Sequence, residues 1–181
     1  MNLLKKFLKV IIIIFCVALI LLLILAILMG AFNKVELERT QRGPYTIACL
    51  SHTGPYHLIY KKIEKVDSIL SEQKIGKLSA CGIYYDSPAE VPQNLLKSKG
   101  GFIISKETQI DSSLVLEVEI IPQREVILAK FKGHPAIASL KIYPEIHKWL
   151  EKNEYRPFGA CLEIYYDEKL VECEMPIKLP E

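Results

Sequence analysis

The sequence predicts an α+β fold, in which tandem duplicated strand-helix-strand-strand halves form one antiparallel sheet with two helices on one face, preceded by one transmembrane helix. Three observations predict it. Residues 10–32 form an apolar run without a charge. The stretch IYYD occurs at 83–86 and again at 164–167, an offset of 81 residues. Two helical patterns open on prolines, Pro55 and Pro135, that lie 80 residues apart. Independent features that share one spacing indicate an internal duplication.

The apolar run comes first. Its 23 residues span ~34 Å at ~1.5 Å each, enough to cross a hydrocarbon core of ~30 Å. A cleavable signal peptide would carry a shorter apolar core of ~7–15 residues and end in a small-x-small site. Here Ile27, Leu28 and Met29 precede Gly30-Ala31, so residues 1–33 are expected to be an uncleaved anchor and residues 34–43 a juxtamembrane linker. Cys16 lies inside the run and reads as a membrane-buried residue. Lys5, Lys6 and Lys9 precede the run, whereas Lys34, Arg39 and Arg42 follow it. The count leans towards a cytoplasmic N-terminus and a single-pass protein whose soluble domain lies on the non-cytoplasmic side.

The first half is expected at residues 44–122. YTIACL (45–50) is rich in strand formers. Gly54-Pro55 then opens a helix, because proline is tolerated where its missing N–H would find no partner. From Tyr56 to Glu72 the apolar residues Ile59, Ile63, Val66, Ile69 and Leu70 recur at helical spacing, with lysines and acids on the other face. LSACGIYYD (78–86) reads as a strand. Residues 87–113 read as a long insertion with a Gly100-Gly101 hinge. LVLEVEII (114–121) alternates apolar and acidic residues and reads as a strand with two unlike faces. The second half, 123–180, repeats the order. EVILAKF (125–131) is a strand, and KGHPAIA opens a helix striped by Ile137, Leu140, Ile142, Ile146, Trp149 and Leu150. ACLEIYYD and LVECEMPI follow as strands joined by a tight turn at Asp167-Glu168-Lys169.

Composition excludes some partners. The part after the apolar run holds 20 basic and 21 acidic residues, a formal charge of −1, with lysines and glutamates interleaved. It shows no basic stripe for a phosphate backbone, so no nucleic-acid partner is expected. Cys49, Cys81, Cys161 and Cys173 form no CxxC pair, and no histidine follows at zinc spacing, so no metal is expected. They read as buried thiols. Export would instead allow disulfides, in three full connectivities. His52, His57, His134 and His147 fall at helix starts or on a helix and suit capping or surface roles rather than a catalytic set.

Side chains alternate along a strand. The expected core face, under the helices, takes Leu162 and Ile164, Cys81, Ile83 and Tyr85, Leu116, Val118 and Ile120, and Val171, Cys173, Met175 and Ile177. The other face would gather Glu117, Glu119, Glu163, Glu172 and Glu174 beside Tyr84, Tyr165 and Cys161, in a crevice where the halves meet. Glutamates on a wet sheet face are ordinary. Glu163 differs, because it sits mid-strand between Cys161 and Tyr165 and needs a donor, a cation or a raised pKa. A carboxylate among tyrosine rings suits a cationic, partly aromatic ligand.

TGPY (53–56), GIYYDSPAEVP (82–92), RPFGACLEIYYD (156–167) and ECEMPI (172–177), in that order, resemble the GyrI-like small-molecule-binding family. That family includes the effector-binding domains of drug-sensing bacterial transcription activators, with SOUL haem-binding proteins as distant relatives. The resemblance implies a pocket between the halves, lined by aromatics and centred on acids that by position are Glu163 and Glu174. A hydrolytic subset uses a glutamate with aromatic neighbours on strained electrophiles. No helix-turn-helix pattern accompanies the domain, so direct transcription control is not expected. An anchor ahead of such a domain also resembles an animal endoplasmic-reticulum receptor that recruits autophagy machinery through a long C-terminal tail. The architecture is expected to carry over and that role is not. The first expectation is therefore a membrane-tethered binder of a small cationic or amphipathic ligand, without a cofactor, using Glu163, Glu174, Tyr84, Tyr165, Glu119 and Cys161. The alternatives are a hydrolase with Glu163 or Glu174 as general base, and a scaffold for a protein partner.

Overall fold

The computed structural model describes residues 2–166 and 169–179. Helix α1 (Asn2–Met29) leads into strands β1 (Val35–Arg42) and β2 (Tyr45–Thr53). Helix α2 (Tyr60–Glu72) and strands β3 (Ala80–Tyr84), β4 (Lys97–Ile104), β5 (Glu117–Ile121) and β6 (Arg124–Lys132) follow. Helix α3 (Pro135–Asn153), β7 (Arg156–Pro157), β8 (Cys161–Tyr166) and β9 (Leu170–Lys178) complete the chain. All strand pairs are antiparallel, in the order β1-β6-β9-β8-β3-β4-β2-β5, with β7 on the end of β9.

The helix starts follow local chemistry. Pro135 occupies the first turn of α3, and the His134 side chain caps it by accepting from Ala136 N–H at 3.1 Å. A single 3₁₀ turn, Tyr56–Leu58, precedes α2. Both helices cover the same face of the sheet. Ile142 and Ile146 of α3 pack on Ile127, Phe131 and Val171, while Val66 and Leu70 of α2 pack on Ala48, Leu50 and Phe102. The other face is also apolar and buried, through Ile47, Cys49, Cys81, Ile83, Ile103, Leu162 and Ile164.

That second core exists because the sheet curls. β1 and β2 are joined by Gly43-Pro44 alone, yet five strands separate them in the sheet. Pro122-Gln123 joins β5 to β6 across the same separation. The two short connections lie against each other, so that a Cβ on Gly43 would stand 3.0 Å from Pro122 O. Opposite ends of the sheet therefore meet, and the face without helices closes on itself.

The pairing moves two expected boundaries. Residues 34–43, expected as a linker, contain β1, whose Val35 and Leu37 pack under α3. The expected insertion 87–113 contains β4, which lies between β2 and β3. The repeating units are therefore β1-β2-α2-β3-β4 and β5-β6-α3-β8-β9, and LVLEVEII opens the second unit instead of closing the first. Polar VELERTQR and glycine-bearing KSKGGFII hide their strands because pairing on both sides or packing at an edge supplies what propensity does not. Asp167 and Glu168 of the expected turn lie outside the described residues.

Helix α1 is long and apolar enough to cross a membrane. Its end is docked on the domain. Met29 O accepts from His134 N–H at 2.9 Å, and Lys141 Nζ donates to Ala31 O at 2.9 Å.

Gly100-Gly101 is not a hinge. A Cβ on Gly101 would overlap the Ala48 carbonyl oxygen of the paired strand. Gly101→Ala should cost at least about 3 kcal/mol of stability, the upper end of the ~1–3 kcal/mol range for overpacking a tight core, because the clash is with backbone. Gly76→Ala, with open space around it, should be close to neutral. Denaturant unfolding of both variants checks this.

Candidate functional site: a lone carboxylate on the pseudo-twofold axis

β3 and β8 meet in the middle of the sheet, one from each repeat. Their register pairs Gly82 with Glu163 and Ala80 with Tyr165. Gly82 and Glu163 are also each other's counterparts at the 81-residue offset. The pseudo-twofold axis that relates the halves therefore passes through this pair. Had both copies kept a glutamate, two carboxylates would face each other from directly opposed strand positions, where Cβ atoms stand about 4.5–5.5 Å apart. The copy with glycine leaves one acid at the centre.

Glu163 is 7% exposed and lies on the helix-covered face. Tyr143 of α3 donates to its Oε1 at 2.9 Å, and Tyr165 donates to its Oε2 at 2.8 Å. The Tyr84 and Tyr165 hydroxyls, another counterpart pair, hydrogen-bond to each other at 2.8 Å. Tyr56 meets the Tyr84 ring edge-on, with centroids 4.8 Å apart. The four tyrosines are each partly exposed. Cys161 adjoins the group. It accepts from Tyr143 at 3.7 Å, and its Sγ lies 3.0 Å from Cys173 Sγ. The cysteines of the domain are buried thiols.

Burial pushes the Glu163 carboxyl above the ordinary carboxylate range, against the lowering effect of the hydrogen bonds from Tyr165, Tyr143 and Tyr84. Burial likewise holds the Tyr84, Tyr143 and Tyr165 hydroxyls protonated, with the charge on Glu163 adding to the effect. They can donate to a carboxylate and cannot neutralise it.

The expected site therefore divides. Glu163, Tyr84, Tyr165 and Cys161 come together, but under the helices and not on the opposite face. Leu162, Ile164, Cys81 and Ile83 take that opposite face instead. In β3 and β8 the alternation was correct and the two faces were exchanged, because both faces of a curled sheet are apolar; Val171, Cys173 and Met175 of β9 lie under α3 as expected, whereas Tyr85, Val118 and Ile120 are exposed. Glu174 and Glu119 do lie away from the helices, as expected, and so do not join Glu163. Glu174 is fully buried and binds Arg42 Nε at 2.7 Å and the Tyr45 hydroxyl at 2.7 Å. Glu172 takes Arg42 Nη2 at 2.6 Å. Glu119 and Glu117 share Lys99 Nζ, at 2.9 and 2.8 Å. These four acids of the far face are each held by a cation. Among the described residues, no lysine or arginine pairs with Glu163.

Tyr143, Tyr56 and Arg42 were not expected. Tyr143 follows Ile142 on α3, at the margin of the helix's apolar stripe, and that position was its only signal. Arg42 was hidden by its place in the presumed linker.

The whole domain, residues 36–179, matches the model of the GyrI-like small molecule binding domain. The chain belongs to the GyrI-like family. No curated protein matches the chain. Solved structures share the fold. The EcmrR C-terminal domain aligns with a TM-score of 0.63 at 13% identity, over 82% of this chain and 99% of that one. In the EcmrR–DNA complex the TM-score is 0.65 at 14% identity, over 81% of this chain and 58% of EcmrR, so the chain spans just over half of that regulator. SAV2435 bound to tetraphenylphosphonium aligns with a TM-score of 0.54 at 12% identity, over 79% of this chain and 94% of that one.

Two expectations follow from the charges of this GyrI-like domain. Arg42→Ala should cost about 3 kcal/mol, because it strands the buried Glu174 carboxylate. Arg39→Ala, which breaks an exposed pair with Glu125, should cost under about 1 kcal/mol in the same denaturant titration. Glu163 sets the pH dependence. Its raised folded pKa means that its contribution to stability is full below the ordinary glutamate value of about 4.3 and is lost as pH rises through the raised value. Glu163→Gln should therefore match the wild-type Tm near about pH 4 and exceed it near about pH 8. Thermal unfolding across that range checks the sign.

Proposed function

We propose that the protein is a membrane-anchored GyrI-like binder of a small cationic, amphipathic ligand, which docks on Glu163 and its tyrosines between α2 and α3. The observation that carries this reading is the missing cation. Glu172, Glu174, Glu117 and Glu119 are all paired with arginine or lysine. Glu163, the acid on the axis, has only neutral hydroxyls as partners among the described residues. A carboxylate buried without a counter-charge is costly, and a ligand that brings positive charge removes that cost. The rings of Tyr56, Tyr84, Tyr143 and Tyr165 supply the second half of recognition, through apolar contact and cation–π attraction. Entry of the ligand requires Tyr84 or Tyr165 to turn aside, since their hydroxyls now fill the space around the carboxylate. The tetraphenylphosphonium carried by SAV2435, a lipophilic cation on the same fold, supports this ligand class.

Anchoring rests on α1, with the N-terminal lysines Lys5, Lys6 and Lys9 favouring a cytoplasmic N-terminus and a domain on the opposite side.

The test uses the full chain in detergent. Tetraphenylphosphonium should raise the wild-type Tm, and the rise should grow as pH increases and Glu163 ionises. The uncharged analogue triphenylphosphine oxide should produce a much smaller rise, and Glu163→Gln should bind the cation at least about tenfold more weakly, the factor that about 1.4 kcal/mol of lost Coulomb attraction in a partly buried site corresponds to. Equal binding by Glu163→Gln would refute the assignment.

A further inference from the structure

We propose that the end of the domain beside α1 is a docking surface for the anionic headgroups of phospholipids in the bilayer that α1 crosses. The inference rests on the anchored reading above.

The depth of this surface is set by the chain. The apolar run ends at Phe32, so Asn33 and Lys34 fall in the headgroup layer, which adds about 5–8 Å beyond the hydrocarbon on each side. The domain is held at that level by hydrogen bonds and not by a loose tether. Asn33 Nδ2 donates to Lys132 O, and Met29 O accepts from His134 N–H at 2.9 Å. The Lys141 ammonium is fixed on Ala31 O at 2.9 Å, at the end of the apolar run. Gly30 is buried against Lys132 and Gly133 in this contact.

Two grooves flank Asn33 and Lys34 there. One, of about 450 Å³, is lined by Lys34, Lys130 and Lys132 with Glu36 and Leu170. The other, of about 430 Å³, passes between Phe32 and α3 and is lined by Lys34 and Lys141 with Leu140, Pro144 and Glu145. Lysines outnumber acids in both grooves taken together. Glu38 engages Lys130 only at 3.6 Å, in an exposed pair, and Lys34 and Lys132 have no ion pair among the described residues. Phe32 and Leu140 are 69% and 75% exposed. Apolar side chains beside ammonium groups, at the depth where phosphates meet acyl chains, match a phospholipid in both parts. A phosphate would take the lysines and the first methylenes would take Phe32 and Leu140. Elsewhere the domain interleaves its charges, and its formal charge of −1 gives no general attraction to an anionic membrane. The attraction is local to this end.

The experiment places the full chain in nanodiscs of phosphatidylcholine with a minority of phosphatidylglycerol. Transfer to detergent is followed by mass spectrometry of the lipids retained on the protein. Phosphatidylglycerol should be enriched several-fold over its input share. Lys132→Gln and Lys141→Gln should each lower that enrichment by about fivefold, the factor associated with one basic residue near a charged surface. Lys61→Gln, on the exposed face of α2, should leave it unchanged. Retention at the input ratio, with α1 still resistant to alkaline extraction, would overturn the proposal and leave anchoring intact. Release of the chain by alkaline extraction would overturn both. Loss of the enrichment to millimolar inorganic phosphate alone would assign the grooves to a free anion and overturn the lipid as occupant.

Discussion

Arg42 and Tyr45 sit in strands that five others separate in the sheet, with only Gly43 and Pro44 between them along the chain. No flat or gently twisted sheet can meet that condition. The sheet must bend until its ends touch, and the same condition is imposed again by Pro122-Gln123. From this follow the second core of Ile47, Ile83, Leu162 and Ile164, and the reach of Tyr45 to Glu174 across the enclosed face. The common side of both helices suits it too, since the enclosed face has no room for them. Curling also separates the acids into two environments. On the enclosed face β1 carries in Arg42 and β4 carries in Lys99, and they pair with Glu172, Glu174, Glu117 and Glu119. On the helix side none of the described residues carries a cation to the axis.

The helix side is therefore where the fold leaves an electrostatic demand unmet. Tyrosine hydroxyls are a particular answer to it. They satisfy the hydrogen-bond needs of Glu163 while leaving its charge in place, and burial keeps them from ionising. Arginine in the same positions would have closed the site permanently. Hydroxyls on rings can be exchanged for a ligand that offers charge, and the rings remain useful to it.

Much of this was legible in the sequence because it depends on periodicity. The apolar stripes of α2 and α3, the repeated IYYD and the disagreement of Gly82 with Glu163 are local patterns, while TGPY, GIYYDSPAEVP, RPFGACLEIYYD and ECEMPI, in that order, carried the resemblance to the GyrI-like family. What was not legible depends on pairing. β1 carries a polar sequence that becomes a strand because β6 offers it a partner and α3 covers its Val35 and Leu37. β4 keeps two glycines because neighbouring backbone comes too close for a side chain. The side to which Glu163 points required knowing that both faces of the sheet are buried, and alternation alone assigns faces only when one of them is wet. Arg42 reaches its acids from 130 and 132 residues away, and Tyr143 reaches Glu163 through the way α3 packs on the sheet, so neither spacing nor composition could link them.

The position of Glu163 on the axis has a consequence for how such a site could arise. Two separate half-domains that paired as identical subunits would place every residue on their axis twice, so the number of acids there could only be even. A single ionisable group at the centre became available once the two copies were written into one chain and one of them could mutate alone. Covalent fusion thus changed the arithmetic of the site, from paired groups to an odd one, before any change in the fold itself.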